Sequence, residues 1–398
     1  MFKDCEADSH LRQTWTEFCD KLKDAGELIF RDTAPATPLD RATGLRYIAR
    51  NISLALAFEL ENKDPLNPEF TMIFNPIRKQ GGDNSDALYM IAPINGRDSF
   101  RVTGNRGSAA YIAISLIQRG ASPYGGPAAQ IMYGDELARD GDSSFELLIS
   151  PEKQPGNWLK STPETYRLTI RQFFGDWEHE EPMAPGIENL SRHEPPPLPT
   201  PEGIAQGLVS AANWLKSSTT FWADMLDLWQ AQPNTFLSWR DLDDTAVDAT
   251  PGGTPLICYW KVKKGETLIV RVVPPERCTF FNLEFGSYWF ETIDYRYRHC
   301  ALNSHSVVLE DDGSLTVLVA HEDPGFANWL EPAGHKEGYL TLRWMGVLDG
   351  PRPETQLVKA SDLRSVLPEN AKRATADDRV RMLEKQKRGL VRRFRTLG

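Results

Sequence analysis

The segment GSYWFETIDYRYRHCALNSH, residues 286–305, concentrates the side chains that could carry chemistry. It brings phenols, carboxylates, guanidinium groups and imidazoles into one short run. If the segment is extended, successive side chains point to opposite faces. Alternate residues then share a face: Tyr295, Tyr297 and His299 on one, and Asp294, Arg296 and Arg298 on the other. Two phenols beside an imidazole can stack on an aromatic ligand, hold an enolate oxygen and move a proton near neutral pH.

These residue types predict a proton-transfer site with His299 as the general acid or base. Tyr295 or Tyr297 is the predicted donor to a developing oxyanion, and Arg298 is the catalytic cation that anchors an anionic group. The predicted substrate-binding residues are Trp289, Tyr288, Arg296 and Asp294, where Trp289 supplies an apolar wall and Arg296 could share the anchoring role. The alternative interpretation is a loop whose arginines form ion pairs and whose tyrosines lie between subunits.

Signatures of several other chemistries are missing from the sequence. It contains no Gly-x-x-x-x-Gly-Lys-Ser/Thr phosphate loop, no Gly-x-Gly-x-x-Gly, no Gly-x-Ser-x-Gly and no His-Glu-x-x-His. The seven histidines include no His-x-His pair, so the sequence predicts neither a cofactor nor a metal site. Binding of a metal by His299, His305 or His321 stays open, because strands bring distant residues together.

The chain contains two copies of the elements that must position these residues. The stretches GNWLKSTPETYRLTIRQFF and ANWLEPAGHKEGYLTLRWM share Asn-Trp-Leu followed by an alternating strand. Arg106 and Arg277 precede the two asparagines, Asn157 and Asn328, by the same 51 residues. This spacing indicates a duplication. Each copy offers five or six short apolar or alternating runs separated by turn residues, which predicts two tandem jelly-roll or β-sandwich units.

Helices are expected around the two units, so the fold class is mainly β with flanking helices. Amphipathic runs predict N-terminal helices, and Thr200 followed by Pro201 marks the start of a helical linker. Residues 372–395 carry ten Lys/Arg against three Asp/Glu and predict a basic C-terminal helix that docks on acidic surface of this protein or of a neighbouring subunit. The predicted boundaries are 1–66 for the N-terminal helices, 67–182 for the first unit, 183–240 for the connector and its helix, 241–353 for the second unit and 354–398 for the tail.

The composition limits which partners and which cellular compartment are expected. The 398 residues are 40% apolar and carry a formal charge of −10, which disfavours nucleic acid as a partner. The five cysteines contain no Cys-x-x-Cys pair, and the sequence has neither a signal-like start nor an apolar run long enough for a bilayer. We therefore expect a cytoplasmic protein that binds no membrane.

The order NWL…LTLRW…GP, preceded by DDGSLTVLVA, resembles the bacterial family named domain of unknown function 1214, which often occurs with a related companion domain upstream. The resemblance covers about residues 254–353. The segments GDNSDALYMIAPINGRDSFRVTGNRGSAAYIAISL and YRLTIRQFFGDWEHEEP look like the longer members in which the motif recurs. The resemblance implies tandem jelly rolls and trimeric assembly, and it implies no catalytic residues.

Two functions from different classes follow from these observations. The first is a cofactor-independent lyase or isomerase that transfers a proton on a hydrophobic or aromatic small molecule of bacterial catabolism. The second is a non-catalytic binding or assembly protein that forms a symmetric homo-oligomer, a trimer if the resemblance holds. A pocket that contains titratable side chains favours the enzyme. A solid second unit packed against a neighbour favours assembly.

Overall fold

The computed structural model describes residues 5–192, 194–238 and 250–395, whose strands form four sheets. The first sandwich contains β1 to β9: Thr71–Met72, Ala87–Pro93, Phe100–Asn105, Tyr111–Gln118, Ala128–Tyr133, Ser144–Ser150, Asn157–Lys160, Thr165–Phe173 and Ala184–Asn189. The second sandwich contains β10 to β18: Phe236–Ser238, Leu256–Lys261, Glu266–Val272, Phe280–Ser287, Ala301–Asn303, Leu315–Ala320, Trp329–Leu330, Glu337–Met345 and Glu354–Lys359.

The two sandwiches have the same topology. In the first, a five-stranded sheet in the order β1-β2-β8-β4-β5 faces a four-stranded sheet in the order β7-β6-β3-β9. The second repeats both orders strand for strand, as β10-β11-β17-β13-β14 and β16-β15-β12-β18. This agreement confirms the predicted pair of mainly β units. In each sandwich, the last strand lies beyond the predicted C-terminal boundary of its unit. β9 pairs with β3, and β18 pairs with β12.

The apolar alternation in the sequence accounts for these sheets. On β3 and β6 the inward residues Phe100, Val102, Leu147 and Ile149 are fully buried. Their neighbours on the other face are partly or fully exposed, apart from Ser150 at the end of β6. β13 departs from this pattern, since every residue from Phe280 to Ser287 is buried. Its second face packs against the rest of the protein instead of solvent, so polar residues on that face are held in the interior.

The repeated Asn-Trp-Leu motif ties strands together in both sandwiches. The Asn157 side chain donates to the carbonyl oxygens of Ala138 and Glu146 and accepts from the N–H of Ala138. The side chain of Asn328 repeats this pattern with Val308 and Thr316. The leucines of both motifs are buried in the core. The motif therefore serves the fold in each copy.

Five α-helices of the described ranges flank the sandwiches: α1 Asp8–Gly26, α2 Pro38–Leu56, α3 Pro201–Gln230, α4 Leu363–Val366 and α5 Ala376–Phe394. α3 begins as predicted, with Thr200 Oγ1 accepting from the N–H of Gly203 and Pro201 in the first helical position. α5 begins with a capping box between Thr375 and Asp378. None of the helices in the described ranges is both long and apolar enough to cross a membrane.

Candidate functional site

The predicted segment 286–305 is mostly a series of turns. β13 ends at Ser287, Phe290 adopts a left-handed φ of 53°, and a single bridge joins Gly286 to Thr292. The chain then turns repeatedly until β14 begins at Ala301. Because the backbone is not extended, the alternation of faces expected for Tyr295, Tyr297 and His299 does not form.

The three predicted catalytic rings have different surroundings. Tyr295 is buried, with Lys79 Nζ 4.4 Å from its ring centroid, whereas Tyr297 is 62% exposed. His299 is buried beside Trp329, with ring centroids 5.3 Å apart. Burial lowers the pKa of His299 to about 4, so its imidazole is neutral at pH 7. The proposed roles of these residues stay predictions.

The remaining predicted residues make structural contacts. Arg296 pairs with Asp294 at 2.6 Å, and Arg298 pairs with Glu331 at 2.7 Å. Tyr288 and Trp289 are buried in an aromatic cluster against the N-terminal helices, where Trp289 Nε1 donates to the carbonyl oxygen of Asp40. The two ion pairs agree with one part of the alternative interpretation, in which the arginines of this loop form ion pairs. Its other part, tyrosines between subunits, stays a prediction.

A cleft of about 220 Å³ lies where the two sandwiches meet α5. Its walls come from the loop after β8, from β14 with the turn that follows it, and from α5. The lining residues are Asp86, Gly175, Asp176, Trp177, Glu178, Ala301, Asn303, His305, Ser306, Met382, Lys385 and Gln386. Titratable and aromatic side chains from four separate parts of the chain, Asp86 and the three walls, therefore converge on one concave surface.

Asp176 lies between two imidazoles at this cleft. His179 Nδ1 is 2.6 Å from Asp176 Oδ2, and His305 Nε2 is 3.8 Å from the same oxygen. Burial raises the pKa of Asp176, but hydrogen bonds from His179 and from the N–H of Glu178 outweigh it, so the net pKa lies below the ordinary value. The carboxylate is therefore ionised at neutral pH.

Asp86 forms the buried floor of the cleft. Its Oδ1 accepts from Trp177 Nε1 at 2.8 Å and from Asn303 Nδ2 at 2.6 Å. Asn303 Oδ1 in turn accepts from the backbone N–H groups of His305 and Ser306. Burial raises the pKa of Asp86 to about 6, although these donors oppose the shift. Asp86 thus fixes both the aromatic wall and the turn that carries His305.

α5 closes the cleft as its third wall. Its basic side chains meet acidic residues of the loop after β8: Arg388 and Lys385 contact Glu178, and Arg392 contacts Glu181. This contact confirms the expected docking of the basic helix on an acidic surface of the protein.

A buried arginine holds the end of α5 in place. Arg393 lies 4.5 Å from the ring centroid of Trp177 and donates to the carbonyl oxygen of Ser85. A second α5 contact is at Gly389, where an added Cβ would lie 2.5 Å from Cβ of Trp177. α5 and the aromatic wall of the cleft are therefore packed as one unit.

A second polar cluster is buried behind the cleft. Lys79 Nζ donates to the carbonyl and hydroxyl oxygens of Thr292, and the carboxylate of Asp83 accepts from the N–H and hydroxyl of the same residue. Glu284 on β13 lies 3.6 Å from Arg343. Burial raises the pKa of Glu284 to about 8, and the arginine offsets only part of this effect. This cluster joins the segment before β2 to the second sandwich.

The three histidines considered as metal ligands lie in different parts of the protein. His299 packs on Trp329, His321 Nε2 lies 3.0 Å from the carbonyl oxygen of Val262, and His305 lies at the cleft. Across residues 5–192, 194–238 and 250–395, no group of three or more His, Cys, Asp or Glu is arranged to hold a metal ion.

Sequence reasoning missed most of the cleft. Asp86, Asp176, Trp177 and Asn303 were not predicted as site residues, and His305 was considered only as a metal ligand. A signal was present in FFGDWEHEEP, where acids, an aromatic ring and a histidine directly follow the buried strand β8. Loops at the ends of buried strands commonly carry function. Nothing in the sequence, however, indicates that this loop meets His305.

Comparisons with known proteins give a family and a fold. Residues 92–175 and 287–347 match the DUF1214 family, described as protein of unknown function, with one region in each sandwich. The crystal structure of an uncharacterized protein from Burkholderia cenocepacia is 33% identical, covers 88% of this chain and 97% of its own, and superposes with a TM-score of 0.83. A protein from Vibrio parahaemolyticus is 14% identical over 86% of this chain and 100% of its own, with a TM-score of 0.46. No curated protein matches the chain.

Proposed function

Since the chain belongs to the DUF1214 family, whose function is unknown, we propose an activity from its own residues: a cofactor-independent lyase or isomerase that moves a proton on a small molecule bound in the cleft. One observation carries this proposal. Asp176 Oδ2 lies between the imidazoles of His179 and His305 on the wall of a cleft. An imidazole beside an ionised carboxylate is a common arrangement for general acid–base catalysis.

In this proposal His305 exchanges the proton with the substrate. As a base, its imidazole removes a proton from carbon next to a carbonyl group, and the C–H electron pair moves into the enolate. Returning the proton to another carbon gives isomerisation, whereas expulsion of a leaving group from the enolate gives elimination. Asp176 stabilises the imidazolium that forms, and His179 holds the carboxylate in place through its 2.6 Å contact. Lys385, a cation lining the cleft, attracts the negative charge of the enolate.

The walls limit the substrate to a small molecule with an apolar part. The volume of about 220 Å³ lies below the roughly 300–1,000 Å³ of clefts that hold drug-sized ligands. Trp177 and Met382 provide apolar surface beside the polar groups that line the cleft. A small hydrophobic or aromatic carbonyl compound fits this combination.

A ligand screen with cleft variants tests the proposal. Wild-type protein is screened by thermal shift against small aromatic and aliphatic carbonyl compounds, since a ligand at a hundred times its Kd stabilises the native state by about 2.7 kcal/mol. Met382→Trp fills the cleft from the half-buried side of α5, and Glu384→Trp places the same ring on the exposed side of that helix. We expect the shifts to disappear in Met382→Trp and to persist in Glu384→Trp.

Turnover of the screening hits then tests the chemistry. Exchange of the carbon-bound proton with deuterium from solvent, followed by NMR, reports proton abstraction before any product is known. We expect exchange in wild-type protein and in His10→Gln, a variant of an exposed histidine on α1, and about 10²-fold or more slower exchange in His305→Gln. Binding without exchange would favour the non-catalytic binding protein, and a screen without hits would favour the assembly protein.

A further inference from the structure

Asp176 and His305 reach the cleft from different sandwiches. Asp176 follows β8 of the first sandwich, and His305 follows β14 of the second. Asp176 Oδ2 and His305 Nε2 are 3.8 Å apart, which is about 1 Å longer than an ordinary hydrogen bond. A displacement of about 1 Å can change the rate of a positioned reaction by about 10²-fold. A residue that fixes the distance between these two segments therefore matters for proton transfer.

The side-chain amide of Asn303 contacts both segments. Its Oδ1 accepts from the N–H of His305 at 2.9 Å, which fixes the turn after β14. Its Nδ2 donates to the carbonyl oxygens of Phe174 and Gly175, both at 3.2 Å. These two carbonyl groups directly precede Asp176 in the chain. One amide thus joins the loop that carries the carboxylate to the turn that carries the imidazole.

The partners of Asn303 also fix the orientation of its amide. Among the described residues, N–H donors contact Oδ1, and oxygen acceptors contact Nδ2, including Asp86 Oδ1 at 2.6 Å. A flipped amide would bring like groups together on both sides. Asn303 is buried, so the loss of these bonds leaves their partners without ready access to water.

The loop after β8 is held within its own sandwich by Glu180. The carboxylate of Glu180 accepts from the N–H groups of Gly175 and Asp176, at 3.0 and 3.1 Å. The N–H groups of this loop are therefore bonded inside the first sandwich, whereas its carbonyl groups are bonded to the second sandwich through Asn303. This division makes Asn303 the direct hydrogen-bonded link from the loop to the turn after β14.

We propose that Asn303 is a positioning residue that holds His305 at a working distance from Asp176. This inference rests on the proposed function of the cleft, and it adds that the acid–base pair depends on an amide that links the two sandwiches. Loss of the link lets the two side chains move apart, which slows proton transfer. Binding should change less, because Trp177 and Met382 keep the apolar surface of the cleft.

Two substitutions remove the link and keep an acceptor for the turn. In Asn303→Ser the hydroxyl can still accept from the N–H two residues further on, but the side chain is too short to reach the carbonyl oxygens of Phe174 and Gly175. Asn303→Asp keeps the shape of the side chain and its acceptor, but it turns a second oxygen towards those carbonyl oxygens and Asp86. If one of these variants does not fold, the other decides by the same criteria.

Asn189→Ser is the matched control. Asn189 is buried at the end of β9 and does not line the cleft. Its Oδ1 accepts from the N–H of Ser191, two residues further on, and its Nδ2 donates to the carbonyl oxygen of Pro65 and to Asp98 Oδ2. The same substitution therefore removes a similar set of bonds far from the proposed chemistry.

The measurement separates binding from proton transfer in the full-length protein. The probes are acetophenone, phenylacetone and cyclohexanone, whose protons next to the carbonyl group can exchange with deuterium from solvent. Ligand-observed NMR titration gives the Kd, and NMR at saturating probe gives the rate of exchange. Urea denaturation gives the stability of each variant.

We expect Asn303→Ser to slow exchange by about 10–10²-fold and to change the Kd by less than about threefold. Asn303→Asp should also be slow, and its rate relative to wild-type protein should rise as the pH falls, because protonation of the introduced carboxyl group restores a donor. Asn189→Ser should lose stability and keep the wild-type rate of exchange.

The inference is overturned if Asn303→Ser exchanges at the wild-type rate, if it changes only the Kd, or if Asn189→Ser slows exchange equally. In each of these cases, slow exchange in His305→Gln would still support the proposed function. Exchange at the wild-type rate in His305→Gln, or no exchange of any probe by wild-type protein, overturns both.

Discussion

His305 and His299 have opposite surroundings, which gives a direct test of where proton transfer occurs. His305 lies beside an ionised carboxylate in a cleft, whereas His299 is buried against Trp329 with its pKa lowered to about 4. We expect His305→Gln to slow turnover of a screening hit by about 10²–10⁴-fold and His299→Gln to change it little. If His299→Gln is the variant that loses turnover while His305→Gln keeps it, the site predicted from the sequence is right and the cleft is not.

Glu284 should make the stability of the protein depend on pH. Burial raises its pKa from 4.5 to about 8, so the folded protein retains a proton that the unfolded chain releases between these values. The free energy of unfolding contributed by Glu284 is therefore fully present below pH 4.5 and decreases as pH rises to about 8. The slope approaches about 1.4 kcal/mol per pH unit. Glu284→Gln, which stays neutral, should lose this slope.

Urea denaturation at several pH values measures the effect of Glu284. Glu384→Gln is the matched control, because Glu384 is exposed on α5, and this variant should keep the wild-type slope. Equal pH dependence of wild-type protein and Glu284→Gln would mean that Arg343, 3.6 Å away, keeps Glu284 ionised throughout. The buried pair would then act as an ordinary ion pair.

At the scale of elements, the Asn-Trp-Leu motif predicts unequal costs in the two sandwiches. Asn328→Ala leaves the part-buried N–H and carbonyl of Val308 and the buried carbonyl of Thr316 without their partner. Asn157→Ala breaks the matching bonds where they are more exposed, so water can replace them. We expect Asn328→Ala to lower the free energy of unfolding by about 2–4 kcal/mol and Asn157→Ala by about 1 kcal/mol. Chemical denaturation measures both, and equal losses would contradict this account.

The same motif shows which elements could be predicted from the sequence. Strands such as β3 and β6 alternate between buried and exposed residues, and the repeat spacing fixes which strands correspond, so both sandwiches were recognisable. The turns after Ser287 were not, because alternating aromatic and charged residues fit a strand equally well. Phe290 adopts a positive φ that its side chain gives no reason to expect. The bridge between Gly286 and Thr292 then ends the strand.

At the scale of the molecule, the cleft is formed by segments that are far apart in the sequence. No local sequence pattern indicates that these segments lie together. The loop after β8 belongs to the first sandwich, His305 follows β14 in the second, and α5 arrives from the C-terminal region. Contact among the three depends on how two sandwiches and a helix pack, which neither periodicity nor residue spacing encodes. The basic charge of α5 predicted that it docks on an acidic surface. It did not identify Glu178 and Glu181 as the partners.

The packing of α5 on Trp177 predicts that a single methyl group disturbs the cleft at a distance from its polar residues. In Gly389→Ala the new Cβ would lie 2.5 Å from Cβ and 2.6 Å from the carbonyl oxygen of Trp177, which is too close for unstrained packing. The helix must therefore shift, at a cost of about 1–3 kcal/mol. We expect faster hydrogen–deuterium exchange in α5 and in the loop after β8, together with weaker binding of screening hits.

The strands of both sandwiches should keep their exchange rates in Gly389→Ala, because the strain is confined to the contact between α5 and Trp177. Gly26→Ala is the matched control: Gly26 ends α1, and an added Cβ there meets nothing within 4 Å. It should leave exchange in α5 and ligand binding unchanged. If Gly389→Ala loosens α5 but ligands bind as tightly as before, α5 is a structural brace and not a wall of the binding site. Normal exchange in α5 would instead mean that Trp177 moves to admit the methyl group.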